Sequence, residues 1–339
     1  CYCLKQETEI LVEGYMLGFD EIPLANKDGR NQTAAALLEG AGNGTKDHGD
    51  RSQEELKVEE TDKYLIVKGS GFSCTYDRRT GLFASWILGR ELLSRPMEMN
   101  IWRAPTDNDR KLRAEWERAY YDRAAARAYE TNYCIRKGAV HIYSHISLAA
   151  PSIQRILDID ARWTVGQAGD ITVAMDVKRD MEFPELPRFG LRLFLPKEFD
   201  QASYYGLGPG ESYVDKCRGT SHGLYKSAVR EFHEDYLRPQ ENGSHWDCDY
   251  MMVENQDLKL AAVSSKPFGF NVSVYTQEEL TEKRHNYELK ECGNTVLCLD
   301  YRQNGIGSAS CGPELLEKYK LNEERFQFDL RLVPVNKRT

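Results

Sequence analysis

Hydrophobic and polar residues alternate with a period of two along most of this chain. Residues 171–177 show it plainly: Ile171, Val173, Met175 and Val177 are separated by Thr172, Ala174 and Asp176. That is the pattern of a strand with one face on a core and one face wet. Strand signals of the same kind mark 65–68, 72–76, 82–87, 142–148, 157–163, 258–263, 270–275, 296–301 and 326–332. Gly69-Ser70-Gly71 and Asp77-Arg78-Arg79-Thr80-Gly81 separate the first of these as hairpin turns. In 189–195, Phe189, Leu191, Leu193 and Leu195 alternate with Gly190, Arg192 and Phe194, so this strand is also expected to place one face on a core. Many short strands with turn residues between them predict an all-β fold, a large antiparallel β-sandwich.

One amphipathic helix is predicted over 110–130. The segment lacks Gly and Pro, and it places Leu112, Trp116, Ala119, Tyr120 and Arg123 at helical spacing. It is expected to cover a sheet edge or the mouth of the sandwich, with Asp107 or Asp109 as its cap. A second, shorter helix is expected over 314–319, after Pro313. Residues 26–55 are polar and rich in Gly, Asn, Asp and Lys, which predicts a disordered linker with at most one helical turn at 34–38. Ahead of it, Glu9-Ile10-Leu11-Val12 and Tyr15-Met16-Leu17-Gly18-Phe19 are strand-like pieces too short to form a domain. The chain therefore divides at about 1–25, 26–55 and 56–339.

Composition narrows the partners. The formal net charge is −8 with acids and bases interleaved, and no basic stripe exists for nucleic acid or an anionic membrane surface. No apolar run approaches the ~20 residues that span a bilayer. The nine cysteines include no Cys-x-x-Cys pair, and no His stands at ligand spacing beside them, so a zinc site is not expected. Reduced thiols fit a cytoplasmic protein. The chain opens on Cys1 rather than Met, as a piece of a longer protein would.

The candidate chemistry is concentrated in two stretches. Tyr204-Tyr205-Gly206-Leu207-Gly208-Pro209-Gly210-Glu211-Ser212-Tyr213 reads as an irregular, aromatic-walled loop that also carries Asp215, and Pro239-Gln240-Glu241-Asn242-Gly243 reads as a second. Aromatic faces with a few carboxylates and amides suit sugar recognition. Glu211 and Asp215 are expected to hold loops by accepting backbone N–H groups, ahead of serving as acid and base. Asp107 and Asp109 lie two apart as in calcium loops, but the later Gly and bidentate Glu are missing. A structural loop with Arg103 paired to an Asp is the better expectation, and no metal site is assigned. His222, His233 and His245 read as structural, although a His with a Glu in a sugar cleft transfers protons.

Four segments in order resemble the C-terminal domain, or separately encoded small chain, of family 2 β-galactosidases. They are Trp102-Arg103-Ala104-Pro105-Thr106-Asp107-Asn108-Asp109, Tyr205-Gly206-Leu207-Gly208-Pro209-Gly210-Glu211-Ser212-Tyr213, Arg238-Pro239-Gln240-Glu241-Asn242-Gly243 and Gly305-Ile306-Gly307-Ser308. The resemblance implies a supersandwich from about Leu56 onward, preceded by the last strands of an immunoglobulin-like domain. It implies a barrel-containing partner, in the same or a separate chain, that holds both catalytic carboxylates. This chain is then expected to hydrolyse nothing alone and to hold no cofactor, while parent enzymes often use Mg and Na. It would lend a wall and a loop to a β-galactoside site, with Asn304, Ser310 and Cys311 as substrate-binding residues. Arg103, Asp107, Glu211, His222, Glu241 and His245 are further cleft candidates. Many members carry a Trp near the position of Cys311, so this chain lacks that stacking platform. An aldose 1-epimerase-like enzyme, similar in fold only, and a non-catalytic carbohydrate-binding module are the alternatives. A homo-oligomer is compatible with all three.

Overall fold

The computed structural model describes residues 1–22, 31–39 and 55–337. The chain falls into two units, Cys1–Asn31 and Gln32–Thr339. In the first, β1 (Tyr2–Cys3) pairs antiparallel with β2 (Met16–Gly18). The stretch Glu9-Ile10-Leu11-Val12, expected to be extended, instead lies at a turn in which Thr8 N–H donates to Leu11 O at 2.8 Å and Leu11 N–H donates to Thr8 Oγ1 at 3.1 Å.

The second unit opens with α1 (Gln32–Glu39), followed by β3 (Lys57–Glu60), β4 (Tyr64–Gly69), β5 (Phe72–Asp77), β6 (Leu82–Leu88), β7 (Arg90–Glu91) and β8 (Arg95–Asn100). After α2 (Arg110–Arg118) come β9 (Ala125–Arg136), β10 (Ala139–Ala149), β11 (Arg155–Val165), β12 (Ile171–Arg179), β13 (Arg188–Pro196), β14 (Gln201–Gly208), β15 (Ser221–Ala228), β16 (Ser244–Glu254) and β17 (Leu258–Ser273). Helix α3 (Gln277–Glu282), β18 (Asn294–Gln303) and β19 (Arg325–Asn336) complete it. Among the described residues, β3 to β7 form a five-stranded antiparallel sheet in sequence order. The remaining strands form a twelve-stranded sheet that runs β15-β14-β16-β17-β19-β12-β11-β10-β9.

The sheet branches at β17. Its first half, Leu258 to Val263, pairs with β19, whereas Gly269 to Ser273 pairs with β18, which continues to β13 and β8. One strand thus belongs to two layers of an antiparallel sandwich, and the branch leaves the C-terminal ends of β14 and β18 beside the start of β16. The five-stranded sheet packs on the same core: Phe83 meets Tyr76 and Trp163 edge-to-face at 5.2 Å each, and the Trp86 indole donates to Gly169 O at 3.0 Å. Edge-to-face contacts of this kind suit the aromatic quadrupole.

The structure corrects several expectations. Strand β13 is buried on both faces through Leu195: Leu191, Leu193 and Leu195 enter the main core, while Phe194 packs with Val296 and Cys298 in a separate cluster. The helix expected over 110–130 ends at Arg118. Tyr120 turns left-handed at φ 53°, Tyr121 dives inward to donate to Pro184 O at 2.7 Å, and Ala125 onward pairs with β10. The segment 314–319 holds a single 3-10 turn at Glu317–Tyr319. Residues 204–208 of the expected aromatic loop are extended instead, as the end of β14. Within the expected linker, 26–30 and 40–54 lie outside the described residues, but α1 is a docked helix. Ala34 is fully buried, Leu37 and Leu38 pack towards Tyr250 and Val263, and Arg331 Nη1 donates to Leu38 O at 2.6 Å. That cation satisfies a carbonyl at the helix C-terminus, where the backbone has none of its own partners left.

Candidate functional site

Strand β13 begins with Arg188, whose side chain is fully buried. Burying a guanidinium is tolerable only if its charge is matched and its donors are used. Arg188 donates from Nε to Asp300 Oδ1 at 3.0 Å and from Nη2 to Asp300 Oδ2 at 2.5 Å, and Nη1 donates to Glu241 Oε1 at 2.9 Å. Burial opposes its charge, yet Asp300 and Glu241 hold Arg188 well above the ordinary guanidinium range. Glu241 reaches on to accept the Ala104 N–H at 3.3 Å, and its own N–H donates to Ala104 O at 2.9 Å. The 238–243 and 102–109 segments are thereby pinned to one another.

Arg103, also fully buried, repeats the device. It donates to both oxygens of Asp109, at 3.2 Å from Nε and 2.7 Å from Nη2, and to the carbonyls of Asn304 and Gly305. Its guanidinium lies 5.3 Å from the Trp116 ring, so α2 closes over the pair. Asp109 does not cap α2; its carboxylate accepts the Thr106 N–H at 2.9 Å and is used up by Arg103. Asp107 is exposed, 3.7 Å from Arg238, so the two aspartates do not converge as cation ligands.

Two acids fasten the remaining loops, in the roles expected of them. Asp215 accepts the Ile306 and Gly307 N–H groups at 2.9 and 2.8 Å. Glu211 accepts Gly243 N–H at 2.9 Å, Lys216 Nζ at 2.5 Å and the Tyr236 hydroxyl at 2.5 Å. Burial would raise the Glu211 carboxyl, but these hydrogen bonds hold it below the usual range, so it stays ionised. Gly305 has a positional reason: a Cβ there would come within 2.6 Å of both Asp215 Oδ2 and Leu315 Cδ1.

The product of this network is the loop 304–313. Its root is buried: Asn304 donates its N–H to Pro187 O at 2.9 Å and accepts Leu321 N–H on Oδ1 at 2.9 Å, and Asn108 Nδ2 donates to Ile306 O at 2.7 Å. Its tip is not. Ser310 and Cys311 are exposed, with Arg110 reaching Ser310 O at 3.3 Å. Of the three residues expected to bind substrate, then, Asn304 is buried in the root, and Ser310 and Cys311 are exposed.

The histidines occupy separate settings. His222 on β15 pairs with Asp247 at 2.9 Å at the surface. His233 lies beside Tyr275, with ring centroids 4.9 Å apart, and burial lowers its pKa. His245 is buried among Tyr204, Phe232 and Phe270, its Nδ1 2.8 Å from the Tyr204 hydroxyl and 3.2 Å from Leu207 O, and burial depresses its pKa to about 4. The sequence reading missed Arg188 and Asp300. Their signal was a charge inside each of two apolar strand runs, 188–195 and 296–301, since a lone charge is not left in a core without its counterpart.

All four sequence segments meet in this one network. Residues 68–332 match the family described as "Beta galactosidase small chain". The chain belongs to that family. It is 39% identical over 332 residues to a β-galactosidase of Actinobacillus pleuropneumoniae, covering 97% of this chain and 31% of the relative. It is 32% identical over 333 residues to a β-galactosidase of Staphylococcus xylosus, covering 98% of this chain and 32% of the relative. The small-chain domain thus spans about a third of the length of these relatives. A solved galactose 1-epimerase from Lactobacillus acidophilus NCFM aligns over 83% of this chain and 99% of its own at a TM-score of 0.47 and 8% identity, a likeness too slight to carry an argument. The nine cysteines of the chain are free thiols, and no helix among the described residues is long and apolar enough to cross a membrane.

Proposed function

We propose that this small-chain domain is the non-catalytic wall of a β-galactosidase and lends the loop 304–313 to a sugar site built by a barrel-containing part of the enzyme. The observation that carries this reading is the contrast within that loop. Its root is fixed by Arg103, Asn108 and Asp215, while Ser310 and Cys311 stand exposed. A rigid root with a free tip is the construction that positions a contact for a ligand held elsewhere. Glycoside hydrolysis needs one carboxylic acid kept protonated beside a second carboxylate. Glu211 is held ionised and Asp109 is bound to Arg103, while burial raises the Glu241 carboxyl but also seals it against Arg188 away from any ligand, so none of them supports that role. Any Mg or Na that the complete enzyme uses belongs, in this reading, outside this chain.

An aldose 1-epimerase-like activity requires a histidine base open to the sugar. His245 is enclosed and neutral, and His222 is committed to Asp247, which favours the wall over the epimerase. Assay of the isolated chain separates the readings. It is expected to release nothing from an aryl β-galactoside and to leave galactose mutarotation at its spontaneous rate. Hydrolysis by the isolated chain, or mutarotation that vanishes in His222→Ala or His233→Ala, overturns the proposal.

A further inference from the structure

Next to the loop root lies a cavity of about 410 Å³ lined by Trp246, Lys266, Tyr301, Arg302, Phe328 and Asp329. Val214 also lines it, one residue from the loop anchor Asp215. None of the six belongs to the buried network described above.

Its walls are aromatic and rigidly placed. The Trp246 backbone N–H donates to Ser212 Oγ at 2.8 Å, and its ring lies against Gly269, where an added Cβ would stand 3.3 Å from the ring. Tyr301 stacks on Phe326 with centroids 4.6 Å and planes 11° apart, and stands 6.0 Å from Phe328. The polar groups are fixed too. Asp329 accepts Ser265 N–H at 2.7 Å, and Arg302 meets Glu323 at 3.3 Å. Two side-chain donors at the cavity make no hydrogen bond to protein among the described residues: the Trp246 indole N–H and the Lys266 ammonium.

Flat apolar rings beside a fixed carboxylate and free donors are what a pyranose uses, with C–H groups on the rings and hydroxyls on the polar groups. The volume is that of a small-molecule site. Lys266 and Arg302 are balanced by Asp329 and Glu323, which favours an uncharged ligand. We propose that this cavity is a second saccharide site, separate from the tip of loop 304–313, that takes a neutral mono- or disaccharide. It stands whether or not the loop reaches the catalytic sugar.

Trp246 is its own reporter, because Trp86, Trp102, Trp116 and Trp163 are at most 3% exposed. Galactose, lactose and maltose are titrated into the 339-residue chain while acrylamide quenching and calorimetric heat are followed. At least one sugar is expected to protect Trp246 and to bind with a Kd on the order of 1 mM. Trp246→Ala is expected to weaken the calorimetric affinity at least tenfold, whereas Tyr129→Ala, exposed on β9 and away from the cavity, leaves it unchanged. Should Trp246→Ala misfold, Lys266→Ala and Asp329→Asn carry the same test by quenching and heat. No protection and no heat with any of the three sugars overturns the site. So does affinity indifferent to these substitutions, or protection that follows protein concentration and not sugar, which would mark a contact with a second copy.

Discussion

Arg188 and Asp300 meet through two hydrogen bonds, at 3.0 and 2.5 Å, with both side chains fully buried. They join adjacent strands, Arg188 at the first residue of β13 and Asp300 within β18 opposite Gly190, close to the loops that precede β13 and follow β18. Desolvation makes such a pair a poor source of net stability, but an expensive one to break singly. Its consequence is geometrical: with Glu241 it fixes where three loops start.

Arg188→Met is therefore expected to destabilise the chain by about 3–5 kcal/mol, because Asp300 and Glu241 are left buried without their cation. The triple change Arg188→Met, Asp300→Leu, Glu241→Gln is expected to cost less than the single one. Urea unfolding measures both. A single variant within ~1 kcal/mol of the parent contradicts the role assigned to the pair.

His245 makes a pH prediction. Burial lowers its pKa from 6.5 to about 4 in the folded chain. Below pH 6.5 the unfolded chain takes up a proton that the folded chain refuses. The contribution is thus fully present above pH 6.5 and is lost as pH falls towards 4, amounting to roughly 3 kcal/mol. In urea unfolding between pH 7 and 4, the difference between the parent chain and His245→Gln should shrink by that order. A difference that does not change with pH would mean that the imidazole is not held neutral.

How much of this was legible depended on whether one face of an element was wet. Strand β12, with Thr172, Ala174 and Asp176 half-buried between buried Ile171, Val173 and Met175, was read correctly because its polar face remains in the sequence. Strand β13 is covered on both sides, so its alternation was illusory and its two arginines were the informative letters. The helix was overextended because Ala and Arg are good helix formers in any window. The competing signal, half-buried Ala126 and Ala128 alternating with exposed Arg127 and Tyr129, is a two-residue period that tertiary pairing with β10 selected. Arg103 was expected to pair with an Asp, and the structure identifies that partner as Asp109, which is therefore not the cap of α2. The loop-holding roles of Glu211 and Asp215 were legible, whereas burial separates Asn304 and His245 from the surface, and no local pattern encodes burial of a polar side chain.

Asp215 is expected to hold the loop 304–313 together with Arg103 and Asn108. Asp215→Ala removes two hydrogen bonds to a charged acceptor, each worth about 1.5–3 kcal/mol. Amide exchange at Ile306 and Gly307 should then accelerate at least ~10-fold, with the β10–β11 pair unchanged. Unaltered exchange at both amides would show that the loop is held by something else.

The most direct test of the central claim is kinetic and uses this chain joined to the barrel-containing part that the proposed function assigns to it. Cys311→Trp places an aromatic ring at the exposed loop tip, where a sugar face gains about 0.5–1.5 kcal/mol on stacking, up to roughly tenfold in affinity. The wall reading predicts that KM for a β-galactosyl disaccharide falls by up to that factor, while an aryl β-galactoside responds differently because its leaving group fills the second position with a ring of its own. If neither kcat nor KM moves for either substrate, the loop does not reach the sugar and the domain only buttresses the enzyme.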